Sequence, residues 1–148
     1  MRTIKIGDKE YVIEYTFEAA EHKNTVQKMF NVLTGAYALK SSVGAENEQD
    51  AAAGMIDGVS GMVADIPHIV KTAFYSGLLE HNPVSEEESK NLMKQYMKEN
   101  KISYHKLFED IKTYMEEDGF FDLSGLKEMV EKMNSSFEEV MKMQEEQK

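Results

Sequence analysis

Four histidines, His22, His68, His81 and His105, are the side chains best suited to acid–base work or metal ligation near neutral pH. None belongs to an H-x-x-x-H or H-E-x-x-H pair, the spacing that sets two imidazoles or an imidazole and a base on one helix face. Two have a glutamate one turn away, Glu18 before His22 and Glu109 after His105. Such i, i+4 pairs supply two ligands where a closed site needs three or four, so both read as surface pairs. The acidic turn EEDGFFD at residues 116–122 invites comparison with a calcium loop and fails it. With Gly119 as the loop's sixth residue, Tyr114 stands first, where a carboxylate is required; with Asp118 first, Leu123 stands in the glycine's place. The turn reads instead as a helix C-cap flanked by solvated charge. No G-x-x-x-x-G-K-[ST], G-x-G-x-x-G or G-x-S-x-G string occurs, and there is no cysteine, which removes thiol catalysis, cysteine-based zinc sites and disulfides. No catalytic residue, metal ligand or cofactor is therefore expected, and the chain does not read as an enzyme.

Charge narrows the partners. Seventeen basic residues stand against 27 acidic ones, a net charge of −10 that repels phosphate backbones. Arg2 is the one arginine, so the bidentate forks used by readers of nucleic acid are nearly absent. No apolar run reaches the length of a signal peptide or a membrane span, and a cytoplasmic protein beginning at Met1 is expected. With 148 residues, 41% of them hydrophobic, the chain suits one domain with its own core.

The elements that would position any working surface are a hairpin and helices. Ile4 and Ile6 alternate with Thr3 and Lys5, and Tyr11, Ile13 and Tyr15 with Val12 and Glu14, around a Gly7-Asp8-Lys9 turn. A loop at Asp8 and Lys9 pairs Ile6 with Tyr11, and a loop at Gly7 and Asp8 pairs Ile4 with Tyr11. Both put Ile4, Ile6, Tyr11 and Ile13 on one face, which a helix or another chain must cover. Val26, Met29, Phe30, Leu33 and Tyr37 form one stripe of a helix over residues 17–39. Residues 40–50 read as an exposed, mobile loop. Residues 51–64 are small and apolar with Gly54, Gly58 and Gly61, implying a closely packed helix or one that settles on a partner. Asp65 reads as an N-cap with Pro67 in the first turn of the most apolar helix, whose stripe is Ile66, Ile69, Val70, Ala73, Phe74, Gly77 and Leu78. Asn82-Pro83 ends it near His81. Ser85 with Glu88 makes a capping box, Ser103 caps a further helix, Gly119 stops that one, and Phe120-Phe121 plugs the core at the corner. Asp122 or Ser124 opens a last helix with the stripe Leu126, Met129, Val130, Met133, Phe137, Val140 and Met141. The fold class is mainly α (α+β): a β-hairpin over residues 1–16, a helical core over 17–100 and C-terminal helices over 101–148, one hairpin before five or six helices.

Ten of the eleven methionines crowd the helices, and flexible thioethers serve both as core filler and as adaptable binding surface. The last helix has more apolar stripe than one neighbour can bury. Tyr75, Leu78 and Leu79, with Met129, Met133, Phe137, Val140 and Met141, are the candidate partner-binding residues.

Two strings carry a family resemblance. TIKIGDKEYVIEYTF at residues 3–17 resembles the hairpin and first-helix start of tail assembly chaperones from long-tailed bacteriophages and prophages of Gram-positive bacteria. AFYSGLLEHNPVSEEE at residues 73–88 is similar to the same family's later pattern of aromatic, small residue, Gly-Leu, polar proline turn and capped acidic helix. The element order agrees over roughly the first 100 residues; the remainder and the glycine-rich stretch at 51–64 do not follow the family. The resemblance implies a non-enzymatic protein of the host cytoplasm that binds the tape measure protein, recruits major tail protein and is missing from the finished virion; the apolar faces left for a client or for its own copies make a homo-oligomer expected. A longer, frameshifted product accompanies many members. The competing expectation is a virion component of the head–tail connection or tail completion type.

Overall fold

The computed structural model describes residues 1–35 and 48–146, with side chains except at 48–59, 134, 137, 138, 141 and 144–146. An antiparallel hairpin, β1 (Arg2–Ile6) and β2 (Lys9–Ile13), precedes seven helical segments among the described residues. Five of these are long, and two are single short turns. The fold is thus mainly helical behind an N-terminal hairpin, as the residue pattern predicts.

Ile4 pairs with Tyr11 and Ile6 with Lys9, which selects the Gly7-Asp8 loop of the two registers. Gly7 adopts φ +62°, a conformation that costs glycine nothing, and its N–H donates to both carboxylate oxygens of Glu99 at 3.0 Å. That backbone donor holds the Glu99 carboxyl below its usual range. Ile4, Ile6 and Ile13 are buried on the inner face, and Tyr11 is half-buried beside them.

The single helix expected over residues 17–39 is two helices. α1 (Phe17–Glu21) ends at His22, whose extended ψ of 99° breaks the ladder, and α2 (Lys23–Thr34) starts there. The His22 ring caps α2, its Nδ1 accepting from the Thr25 N–H at 3.3 Å. The hydrophobic period crosses the break unchanged, which hid it. His22 is therefore a cap and does not form the expected surface pair with Glu18, whose own N–H donates to Glu80. Gly35 closes α2 in the left-handed region, so its end precedes the predicted one. Tyr37 and residues 40–47 of the loop expected at 40–50 lie outside the described residues, while residues 48–50, expected in that loop, are helical.

α3 (Glu48–Leu78) is one 31-residue helix with Pro67 inside it. The helix start expected at Asp65 and Pro67 does not exist. A proline inside a helix forfeits one hydrogen bond and crowds the preceding turn, a cost of about 3 kcal/mol. Val63, whose carbonyl loses that bond, is exposed, so water can take the acceptor. Burial of Ile66, Ile69, Val70, Ala73, Phe74 and Leu78 just beyond it offsets the remainder, at about 1.5–3 kcal/mol for each large side chain. The close approach expected of the glycines appears elsewhere: nothing lies within 4 Å of a Cβ built on Gly61, whereas one on Gly77 would meet Tyr15 Cζ at 2.7 Å. The side-chain surroundings of positions 54 and 58 are outside the described residues.

α4 (Glu86–Asn100) is capped by Ser85 Oγ, which accepts from Glu88 N–H, and α5 (Tyr104–Glu117) by Ser103 Oγ, which accepts from Lys106 N–H, both at 3.1 Å. Gly119, at φ +73°, turns the chain into α6 (Phe120–Leu123). Phe120 is fully buried in edge contact with Tyr15, and Phe121 is half-buried. Neither start considered for the last helix is its cap: α7 (Leu126–Glu146) opens after Gly125, whose carbonyl accepts from Met129 N–H at 3.0 Å, while Ser124 Oγ, one residue earlier, accepts from Leu126 N–H at 3.4 Å. The buried core runs from Ile4 of the hairpin through α3, α4 and α5 to Leu126. No helix among the described residues is long and apolar enough to cross a membrane.

Candidate functional site

The two strings that carry the family resemblance lie more than fifty residues apart and pack directly on each other. Glu14 N–H donates to Gly77 O at 3.0 Å, Val12 N–H to Asn82 Oδ1 at 2.7 Å, and Tyr15 Oη to Ala73 O at 3.0 Å. Glu14 and His81 share a side-chain hydrogen bond across the same junction. The missing side chain at Gly77 admits the Tyr15 ring, and burial pushes the Tyr15 phenol far above its ordinary range. Hairpin and α3 are therefore one rigid unit, built by residues of both strings.

A second tie closes the base of this unit. Arg2 donates from Nη1 and Nη2 to the two Asp118 oxygens, each at 2.9 Å, and its guanidinium lies 4.1 Å from the Tyr114 ring centre. Asp118 Oδ2 also accepts from Tyr15 N–H at 2.9 Å. Burial opposes the Asp118 charge, but Arg2 and the Tyr15 N–H prevail and hold its carboxyl below the usual value. Asp118 is thus a buried anchor where solvated charge was expected; its side chain is 5% exposed against 61% for neighbouring Glu117. The one arginine of the chain was its only sequence signal.

The candidate partner-binding residues fall into two places. Leu78 is fully buried in the core and offers no contact surface, which corrects its selection. The stripe periodicity of α3 could not say which of its members the hairpin covers. Tyr75 is half-buried with its ring 5.4 Å from that of His22, at a cleft of about 460 Å³ shared with Lys71, Glu86, Glu87 and Lys90. Leu79 is half-buried in the turn after α3.

On α7 the picture differs. Leu126 is buried and Val130 half-buried against the body, while Met129 is 53% exposed, Met133 42% and Val140 52%. Met143, 62% exposed, continues this line and was not selected from the stripe. Phe137 and Met141 have side chains outside the described ones. Every described side chain from Glu131 to Met143 is exposed. Beside Met129, α2 and α7 enclose an open groove of about 530 Å³ whose apolar walls are Ala20, Val26, Phe30 and Leu126. Tyr75 and the α7 stripe line separate clefts with no residue in common.

His105 and Glu109 form an exposed pair at 3.0 Å, as expected. Among the described residues no group of three or more potential ligands could hold a metal ion. Compared with known protein families, curated proteins and solved structures, the chain matches none.

Proposed function

We propose that this protein is a non-enzymatic assembly chaperone of the phage tail type, holding apolar helices of the tape measure protein, the major tail protein or both while a tail is built. The observation that carries the reading is α7: a long helix whose described side chains from Glu131 to Met143 are all exposed, and which bears Met129, Met133, Val140 and Met143 on its surface. Exposed thioethers adapt to irregular apolar helices, and the surrounding acidic chain keeps such a complex dispersed. The resemblance of residues 3–17 and 73–88 to tail assembly chaperones supports the same reading, strengthened by the way the two segments build one junction. On this reading the protein works in the host cytoplasm and is left out of the particle.

Co-expression with a candidate tape measure protein, chosen as a long helical open reading frame of the same genome, tests the proposal. The chaperone should raise that protein's soluble fraction and co-purify with it, and mass spectrometry of finished particles should not find the chain. Failure to co-purify, or stoichiometric presence in particles, would overturn it.

A further inference from the structure

The exposed face of α7 has a period that identifies an occupant. Counted in heptads from Leu126, Leu126, Met133 and Val140 fall at a, and Met129, Ser136 and Met143 at d. Four of these six positions are the large apolar side chains that the body leaves exposed, so the outer part of α7 is an unpartnered coiled-coil seam.

We propose that α7 pairs in antiparallel fashion with α7 of a second copy of this chain. Charge decides between orientations. In a parallel pair each g residue faces the e residue of the next heptad, which sets Lys132 opposite Phe137 and Glu139 opposite Gln144 and yields no ion pair. In an antiparallel pair with a facing d, Leu126 aligns with Met143 of the second copy, Met133 with Ser136 and Val140 with Met129. Lys132 then lies beside Glu139 of the second copy, and twofold symmetry repeats the pair on the same face, beyond the axis. Lys132 now reaches Glu128 at 3.4 Å, an exposed contact that it can exchange at little cost. The same alignment brings the end of the second α7, with Val140 and Met143, to the groove beside Met129. The groove's lining also includes Lys23, and Glu145 and Glu146 follow in the arriving chain. Apolar surface meets apolar surface, and acidic residues meet a lysine. The pairing stands on α7 alone and does not rest on the client assigned above. It also accounts for how a chain with an exposed methionine stripe stays dispersed without a client.

The absence of cysteine makes the test direct, because each introduced thiol is unique. Met129→Cys and Val140→Cys chains, mixed and oxidised, should give a disulfide-linked dimer joining one of each. Either variant alone should give almost none, since equivalent positions then lie about 16 Å apart along the axis, eleven residues at about 1.5 Å, beyond disulfide reach. Light scattering should find the wild-type chain dimeric. Lys132→Glu or Glu139→Lys alone should weaken dimerisation about tenfold, and mixing the two variants should restore it. A monomeric wild type overturns the proposal, whether or not α7 then binds a client helix. So does efficient cross-linking of each cysteine variant with itself, the mark of a parallel pair.

Discussion

Replacing Asp118 with alanine removes one carboxylate from the point where hairpin, α1 approach and α5 meet. The lost acceptor served both Arg2 nitrogens and the Tyr15 N–H, each at 2.9 Å. Breaking a buried ion pair from one side costs about 3–5 kcal/mol, because the other charge stays behind. Arg2 retains weaker bonds to Ile13 O at 3.3 Å and Glu117 at 3.3 Å, as well as the Tyr114 ring, which places the loss near the lower end, about 3 kcal/mol. Glu117→Ala removes a carboxylate from the same arginine, but an exposed one, and should cost under about 1 kcal/mol. Urea unfolding at pH 7, followed by far-UV circular dichroism, should show the Asp118→Ala midpoint lower by about 1–2 M at unchanged slope. The acid side carries a second signature. Because the folded Asp118 carboxyl sits below its unfolded value, its contribution is full above the unfolded value and fades as pH falls through the folded one. The gap between wild type and Asp118→Ala should therefore narrow below about pH 4. Equal losses for Asp118→Ala and Glu117→Ala, or a gap that widens in acid, would refute the argument from burial.

Three further substitutions probe the packing. Gly77→Ala should cost about 2 kcal/mol in the same assay, since its Cβ would meet Tyr15 Cζ and Oη at 2.7 and 2.8 Å while Ala73 O holds that hydroxyl in place. Lys101, at φ +53°, ends α4 in the left-handed region, and Lys101→Gly should raise stability by about 0.5–1 kcal/mol, read as a melting point higher by a few degrees. Ser89 Oγ is buried with no hydrogen-bond partner among the described residues, so Ser89→Ala should be neutral to stabilising by about 1 kcal/mol, and a clear loss of stability would show that the hydroxyl has a role.

Local signals were legible where their physics is local. The hairpin alternation, the Ser85 and Ser103 caps and the Gly119 stop all depend on a few neighbouring residues, and the structure uses each of them. Two hairpin registers were equivalent by pattern; the Glu99 carboxylate on Gly7 N–H belongs to the one adopted, and it lies 92 residues away. Asp65 and Pro67 resemble a helix start by every local rule, yet α3 runs through them because the buried stripe beyond holds the helix together. His22 ended a helix whose apolar period gave no sign of a break. On α7 the stripe was readable and its division between core and surface was not. Leu126 is covered and Met133 is bare because the body of the protein ends between them, a matter of tertiary placement.

The claim that the α7 stripe is the working surface meets its most direct test in a client pull-down. Met133→Glu/Val140→Glu alters only side chains that the single chain leaves exposed, so the variant should keep the wild-type far-UV circular dichroism spectrum even as its α7 pairing is lost. Co-expressed with that candidate tape measure protein, the wild-type chain should retain the client on affinity purification and the double variant should lose it. Tyr104→Ser, an exposed aromatic on α5, should behave as wild type. Undiminished capture by the double variant would contradict the account.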